Sequence, residues 1–323
     1  RSGFQLFRWF SMKGGMNDGK TICGLGELLW DLLPAGERLG GAPANFAVMA
    51  ARLGNRGVIA SRLGADARGE RAHAALSDLP VDLTYLQTAP KMDPAQPTGT
   101  VGIEIAGGEP RYVIHAPAAW DFVEWTSDWR ALAADTDAVC FGTLAQRERV
   151  SRDTIRRFIS ATHSECVRVF DVNLRPPFFS AEVISESLPL ATIFKLNEGE
   201  VPIVLQLLGA PAEPDLVCAA RWLLGRYPLQ LVAITLGAQG SLLVTRDAMH
   251  RHPGAASQVV DTVGAGDAFT AALVDAYLRG ATLAAINEAG NRWGAWVASQ
   301  PGAMPELDAS TLAAISQKVA DHL

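Results

Sequence analysis

The sequence predicts an α/β fold, with one mainly parallel sheet and helices packed on both of its faces. Three observations carry this. Short apolar runs of strand length alternate with segments of helical period along most of the 323 residues, and strand-then-helix alternation in one chain builds parallel sheets. Polar residues and glycines gather just after those apolar runs, where open sheets of this kind bind ligands. One segment, 94–120, departs from the pattern with strict alternation and reads as an inserted β-hairpin.

From Thr21 the run Ile22-Cys23-Gly24-Leu25-Gly26-Glu27-Leu28-Leu29-Trp30-Asp31-Leu32-Leu33-Pro34 reads as an apolar strand that then takes on polar residues, and Glu27 and Asp31 are candidates for a strand-end site. Gly40-Gly41-Ala42-Pro43-Ala44-Asn45 opens a helix whose apolar residues are Phe46, Met49, Ala50 and Leu53. Proline suits a first helical turn, and glycine lets backbone approach a ligand. Asn45, one turn in, either hydrogen-bonds a polyol or caps its own helix. A strand over 58–63, a Gly-Ala-Asp loop and a helix over 70–79 complete a further unit.

In the inserted segment, residues 99–105 and 111–114 alternate about Gly107-Gly108, the pattern of a lid. Trp120, Trp125 and Trp129 are read as packing aromatics, because large rings supply buried area. The remainder repeats strand and helix, with strands at 138–141, 167–172, 193–196 and 231–235. Helices are expected up to 163 and over 180–188, 198–208 and 215–226.

At successive strand ends stand Gly142-Thr143; Asp171, Asn173 and Arg175; Lys195, Asn197 and Glu200; Thr235, Gly237 and Gly240. Any one of these alone is a turn or cap, but a row along one sheet edge is a site.

Val260-Asp261-Thr262-Val263-Gly264-Ala265-Gly266-Asp267-Ala268-Phe269 is where the chemistry is expected. Phe269, Leu273, Ala276 and Tyr277 recur at helical spacing, so a helix starts at or just after Gly266 with Gly264-Ala265-Gly266 wrapped around its N-terminus. Unpaired N–H groups at the positive end of a helix dipole, with no Cβ to bar approach, make an anion hole. Asp267 would repel an anion unless it had another task, such as accepting the proton of an attacking hydroxyl; the alternative is a first-turn acid that stabilises its helix.

Composition limits the partners. A hydrophobic fraction of 49% supports a sizeable core, and a net charge of −6 without a dense Lys/Arg run argues against nucleic acid or anionic membrane. No stretch approaches the length of a membrane span. Cys23, Cys140, Cys166 and Cys218 are widely spaced without a Cys-x-x-Cys, which fits reduced thiols in the cytoplasm. His250-Arg251-His252 lacks a third ligand nearby and is expected to be solvated. Residues 1–20 read as an irregular leader, with Met16 a candidate natural start.

In order along the chain, Gly40-Gly41-Ala42-Pro43-Ala44-Asn45, Asn197-x-x-Glu200, Thr235-Leu236-Gly237-x-x-Gly240 and Asp261-Thr262-Val263-Gly264-Ala265-Gly266-Asp267 resemble the motifs of carbohydrate kinases of the ribokinase (PfkB) family, over about 22–305. The resemblance implies a ribokinase-like three-layer α/β/α domain over 21–323, with a small β-sheet lid inserted at about 28–39 and 97–116. It implies ATP as donor, Mg2+, and transfer of the γ-phosphoryl to a sugar hydroxyl.

By the same resemblance Asp267 is the catalytic base, with Gly264, Ala265 and Gly266 the anion hole; Asp31, Gly41 and Asn45 bind sugar. Asn197, Thr235, Gly237, Gly240 and Asn291 line the nucleotide, Glu200 organises magnesium through water, and Asp261 and Thr262 match positions that hold K+ in several relatives. Arg175 clamps a sugar or phosphate oxygen, or pairs with a neighbouring acid.

Asp171-Val172-Asn173-Leu174-Arg175-Pro176-Pro177-Phe178 and Gly26-Glu27-Leu28-Leu29-Trp30-Asp31 look like the fructokinase branch, so fructose is the expected acceptor. Alternatives are 2-keto-3-deoxygluconate, ribose or a nucleoside, for which Trp30 and Phe179 are available, or a non-catalytic sugar-binding homologue. The last could have lost Asp267, Gly264 and Gly266, and all three are present. A homodimer through the lid is also expected.

Overall fold

The computed structural model describes residues 19–34, 36–90, 95–106, 109–211 and 215–320. The leader at 1–18 and the hairpin tip Gly107-Gly108 lie outside these.

Every residue of β1 (Thr21–Leu25) is buried, as an unbroken apolar run requires of a strand covered on both faces. The lid strands β2 (Leu29–Leu33) and β3 (Gly36–Gly40) leave the main sheet, and helix α1 (Ala42–Arg52) returns the chain to β4 (Arg56–Ala60), parallel to β1. On its other side β1 pairs with β9 (Ala138–Phe141), so that Cys23 lies opposite both Val58 and Val139. The parallel sheet continues through β10 (Val167–Asp171), β11 (Ile193–Asn197) and β12 (Leu231–Thr235). An antiparallel hairpin, β13 (Ser241–Val244) and β14 (Met249–His252), completes the order β14-β13-β12-β11-β10-β9-β1-β4. The winding reverses at β1, which puts the ends of β1 and β9 at the switch point where such sheets bind ligands.

Alternation along β1 divides the core into two layers. Ile22 packs with Phe46 of α1, Phe269 of α8 (Ala265–Leu278) and Trp293 of α9 (Leu283–Ala298), with α10 (Ala309–Ala320) outside them. Cys23 and Leu25 face the opposite layer, which holds α3 (Ser127–Asp135), α4 (Arg149–Ser160), α5 (Ala181–Ser187), α6 (Glu200–Leu207) and α7 (Leu216–Arg226). Within that layer Phe141, Phe170 and Phe194 stack across three strands at centroid distances of 5.1 and 5.4 Å, each pair contributing about 0.5–1.5 kcal/mol beyond its buried area. Trp120 and Trp129 are fully buried there, so the tryptophan cluster does pack.

The lid is a four-stranded sheet of order β3-β2-β7-β8, formed with β7 (Gly99–Ala106) and β8 (Glu109–Ile114). Leu28 and Trp30 anchor it on Ala44, Val48 and Ile59, beside α2 (Ala67–Ser77).

Three expectations need correction. The strand expected over 58–63 breaks at Ser61: β4 ends at Ala60, and β5 (Arg62–Leu63) pairs instead with β6 (Gln87–Thr88), because buried Arg62 turns away to donate to the Phe122 carbonyl at 2.6 Å. The hairpin β13–β14 was not expected as strand. His252 is buried rather than solvated: in β14 it faces α9, its Nε2 is 2.6 Å from Glu288 Oε2, and its Nδ1 accepts the Gly254 N–H at 2.9 Å. Cys23, Cys140 and Cys166 are buried and Cys218 is exposed, and none of the four is joined in a disulfide. Among the described residues no helix is long and apolar enough to cross a membrane.

Candidate active site

The N-terminus of α8 stands at the carboxyl edge of the sheet, capped by Gly264 in the left-handed conformation (φ 79). A Cβ there would lie 2.6 Å from the Ala303 Cβ, so only glycine fits. A Cβ on Gly266 would come within 3.2 Å of Lys195 Nζ, so the turn is bare where an ammonium group meets it. First-turn N–H groups have no partner inside their own helix. The turn Gly264-Ala265-Gly266 therefore fits an anion, as the dipole and the neighbouring Lys195 favour, although the Ala265 N–H already donates to the Thr262 carbonyl at 3.3 Å.

Asp267 follows directly. Asn45 Nδ2 donates to its Oδ2 at 2.7 Å, which decides between the two readings of Asn45: its side chain reaches across to α8 rather than capping α1. The buried Asn45 Oδ1 has no partner and remains an acceptor for a ligand hydroxyl. Burial pushes the Asp267 pKa up to about 6, the charge of Asp171 adds to this, and the Asn45 bond, Lys195 and Arg175 oppose it. α1 can deliver Asn45 because Gly41 takes φ 124, and a Cβ on Gly41 would lie 2.6 Å from the Glu27 carbonyl.

Behind the anion turn, Lys195 and Asp171 stand opposite each other on adjacent strands with Nζ 3.0 Å from Oδ2. Thr270 Oγ1 also donates to Asp171, at 3.3 Å. Burial works against the Lys195 charge, but Asp171, Asp267 and Glu200 outweigh it and hold its pKa above the ordinary value. Removing one partner of a buried pair of this kind is strongly destabilising, so the pair holds the Lys195 ammonium in place beside the turn of α8.

Asn197 and Glu200 cap α6 reciprocally. Asn197 Oδ1 accepts the Glu200 N–H at 3.0 Å, and Glu200 Oε2 accepts the Asn197 N–H at 2.8 Å. Glu200 Oε1 accepts the Leu174 N–H at 2.8 Å. Burial raises the Glu200 pKa against these amide bonds. Each oxygen keeps a lone pair, which suits the water shell of a magnesium ion rather than direct ligation.

On the lid side, Asp31 of β2 faces Arg38 of β3 in register. Its pKa is raised by burial, with Arg175 and Arg38 opposing. Arg38 Nη1 lies 3.1 Å from Asp261 Oδ2, which also accepts the Gly302 N–H at 3.2 Å, while Asp261 Oδ1 accepts the Val263 N–H at 3.0 Å. The Asp261 carboxylate is thus already neutralised. The main-chain oxygen of Thr262, the other residue expected beside a potassium ion, accepts the Ala265 N–H at 3.3 Å. Arg175 is exposed and forms no ion pair with any described residue; its charge bears on Glu27, Asp31 and Asp267.

Thr235 ends β12, and Gly237 and Gly240 bound the turn into β13. Asn291 is buried beneath that turn, with Nδ2 donating to Ser241 Oγ at 2.7 Å and the Asn287 carbonyl at 2.8 Å, so its amide donors serve the scaffold. A cavity of about 590 Å3 opens beside the turn, lined in part by His250, Gly254, Ala256, Ala284 and Arg292.

The chain matches the pfkB family of carbohydrate kinases over residues 35–309. It belongs to that family. An uncharacterized sugar kinase of Pyrococcus horikoshii is 30% identical over 285 residues, covering 80% of this chain and 83% of its own. The crystal structure of that kinase in complex with ATP superposes with a TM-score of 0.75 over 92% of this chain and 99% of its own, at 28% identity. Fructokinase of Escherichia coli is 32% identical over 266 residues (77% of this chain, 82% of its own). Aminoimidazole riboside kinase of Salmonella typhimurium is 30% identical over 305 residues (88% and 90%). The protein is an ATP-dependent carbohydrate kinase with the ribokinase-like fold.

Of the residues expected at the site, the structure brings Asp267, Gly264, Ala265, Gly266, Gly41 and Asn45 into one crevice, with Lys195 behind it. Asp31, Arg38 and Asp261 form its rim, and the turn at Gly237 stands further along the sheet edge. Sequence reading gave Lys195 no role of its own and did not reach Arg38. The signal for Lys195 was a charged residue in an otherwise apolar strand; for Arg38 it was its position on the other arm of the Asp31 hairpin.

Proposed function

We propose that this kinase phosphorylates a small free sugar, with fructose the preferred acceptor. The observation that carries the reading is the Asn45–Asp267 pair, 2.7 Å apart, standing beside the amide cradle of α8. In this reading Asp267 takes the proton of the acceptor hydroxyl while Asn45 and Asp31 hold the sugar. The hydroxyl oxygen attacks the γ-phosphorus as the bond to ADP breaks. The α8 amides and Lys195 stabilise the charge on the transferring group, a preorganised arrangement that needs no reorganisation during reaction. Magnesium, when bound, would neutralise phosphate charge, and Glu200 and Asn197 are the residues that fit its water shell.

The cavity beside Gly237 and Gly240 has the volume of a small-ligand site and suits the nucleoside part of ATP. Fructose rather than a riboside is supported by the polar rim of Asp31 and Arg175, which matches a polyol, and by the fructokinase-like segment 171–178. The riboside reading is kept alive by the aminoimidazole riboside kinase, similar over 88% of this chain. An acceptor screen by ATP consumption with fructose, 2-keto-3-deoxygluconate, ribose, glucose and adenosine tests it. Fructose should give the highest kcat/KM, and a tenfold preference for another acceptor, about 1.4 kcal/mol, overturns the fructose reading.

A further inference from the structure

Glu27 stands two residues beyond the end of β1, at the switch point of the sheet. Its side chain is 4% exposed, and its Oε2 is buried without a hydrogen-bond partner. A buried carboxylate oxygen left unpaired is costly, so it calls for a task. Glu27 lines the same small cavity as Asp267, Asp171, Asn173, Thr143 and Thr270, with about 10 Å3 open to the centre of a water molecule. That is the room of one water, and the polar lining offers it several partners.

We propose that Glu27 is a second proton acceptor of the kinase: it receives, through one water in the shared cavity, the proton that Asp267 removes from the sugar hydroxyl. The proposal rests on the reading of Asp267 as base. The balance is simple. The sugar O–H bond breaks: its proton passes to Asp267 and its electron pair makes the new O–P bond, while the bond from the γ-phosphorus to the bridging oxygen breaks and its electron pair leaves with ADP. Asp267 gives that proton to the water, the water gives one of its own to Glu27 Oε2, and the water is regenerated. Glu27 returns the proton to solvent when product leaves. Asp267 is thereby ionised again without waiting for solvent to reach it.

The electrostatics bring the two carboxylates into a common range. Burial raises the Glu27 pKa to about 7 against a bond to its own backbone, with the charges of Asp267 and Asp171 adding and Arg175 opposing. Burial likewise raises the Asp267 pKa to about 6, so near neutral pH a proton can pass between them. The other ionisable groups facing the cavity or its walls are Lys195, paired with Asp171, and Cys140, whose thiol is held neutral by burial. The two carboxylates titrate as a pair.

The test is the pH profile of kcat. In the wild type the acid limb should have its midpoint near 7, set by Glu27. Glu27→Gln keeps the shape but cannot take a proton; kcat at pH 8 should fall about tenfold or more, and the limb should move down toward that of Asp267. Glu27→Asp should retain the high limb with intermediate kcat. An unmoved limb in Glu27→Gln overturns the relay, and so does a wild-type midpoint below about 5, the ordinary carboxylate range, whichever variants fold. Asp267→Asn run alongside separates the two readings: if it keeps more than a tenth of kcat, the base assignment fails, whereas a normal Glu27→Gln profile beside an inactive Asp267→Asn removes the relay alone.

Discussion

Asn45 Nδ2 donates to Asp267 Oδ2 at 2.7 Å, joining two helices whose contributing residues lie 222 positions apart. The bond takes up one carboxylate oxygen and leaves the other for the acceptor. It also favours the ionised carboxylate, opposing the burial that raises the Asp267 pKa to about 6.

Asn45→Ala should therefore raise the Asp267 pKa further and cost activity most where protonation competes. The ratio of variant to wild-type kcat is expected to fall as the pH is lowered from 8 to 6, with sugar KM raised at every pH because the free Asn45 Oδ1 is lost as well. A ratio that does not change with pH would separate Asn45 from the titration of Asp267.

What was legible in the sequence is what local chemistry determines. Gly264 and Gly266 around a helix start, Asp267 in its first turn and the row of strand-end polar residues all follow from short-range patterns. The Lys195–Asp171 pair does not, because it depends on the register that sets Asp171 opposite Lys195 in neighbouring strands. Nor does Arg38–Asp261, which spans 223 positions and exists only once β3 is folded beside the segment that leads into α8. The β13–β14 hairpin escaped for a different reason: Met249-His250-Arg251-His252 carries no apolar alternation, and its inward residue is a histidine matched to Glu288.

Glu200→Gln should have two effects. The carboxylate accepts two backbone N–H groups, from Leu174 and Asn197, and a carboxamide can offer an oxygen to only one of them. A loss of about 1–3 kcal/mol of stability is expected, seen as a lower Tm. Because a charge is also removed from the water shell proposed for magnesium, the magnesium concentration needed for half-maximal activity should rise while sugar KM holds. A lower Tm with an unchanged magnesium requirement would leave Glu200 a helix cap and no more.

The lid predicts association. Among the described residues its outer strands, β3 and β8, each have one edge without a partner strand, and such edges are normally covered or blunted. Two copies joined through their lids would cover them, so sedimentation should show a dimer at assay concentrations. A fully active monomer would count against lid pairing.

Asp267→Asn tests the base assignment through kinetics and stability together. The carboxamide can still accept from Asn45 but cannot take a proton, so kcat should fall at least about a hundredfold, roughly 2.7 kcal/mol of barrier, with sugar and ATP affinity nearly kept. Stability should move the other way. The folded-state pKa of Asp267 is raised from 3.8 to about 6, so the folded protein prefers the protonated acid. The group's stabilising contribution is fully present below pH 3.8 and is lost as the pH rises through about 6. Replacing it with a neutral isostere relieves that cost only where the carboxylate would be ionised. The variant's Tm should therefore exceed the wild type's at pH 8, and the difference should shrink steadily as the pH is lowered through 6 toward 4. A first-turn acid serving its helix gives the opposite pattern at pH 8, a lower Tm with kcat retained in the folded fraction. One preparation measured for kcat, sugar Kd and Tm at both pH values decides between them.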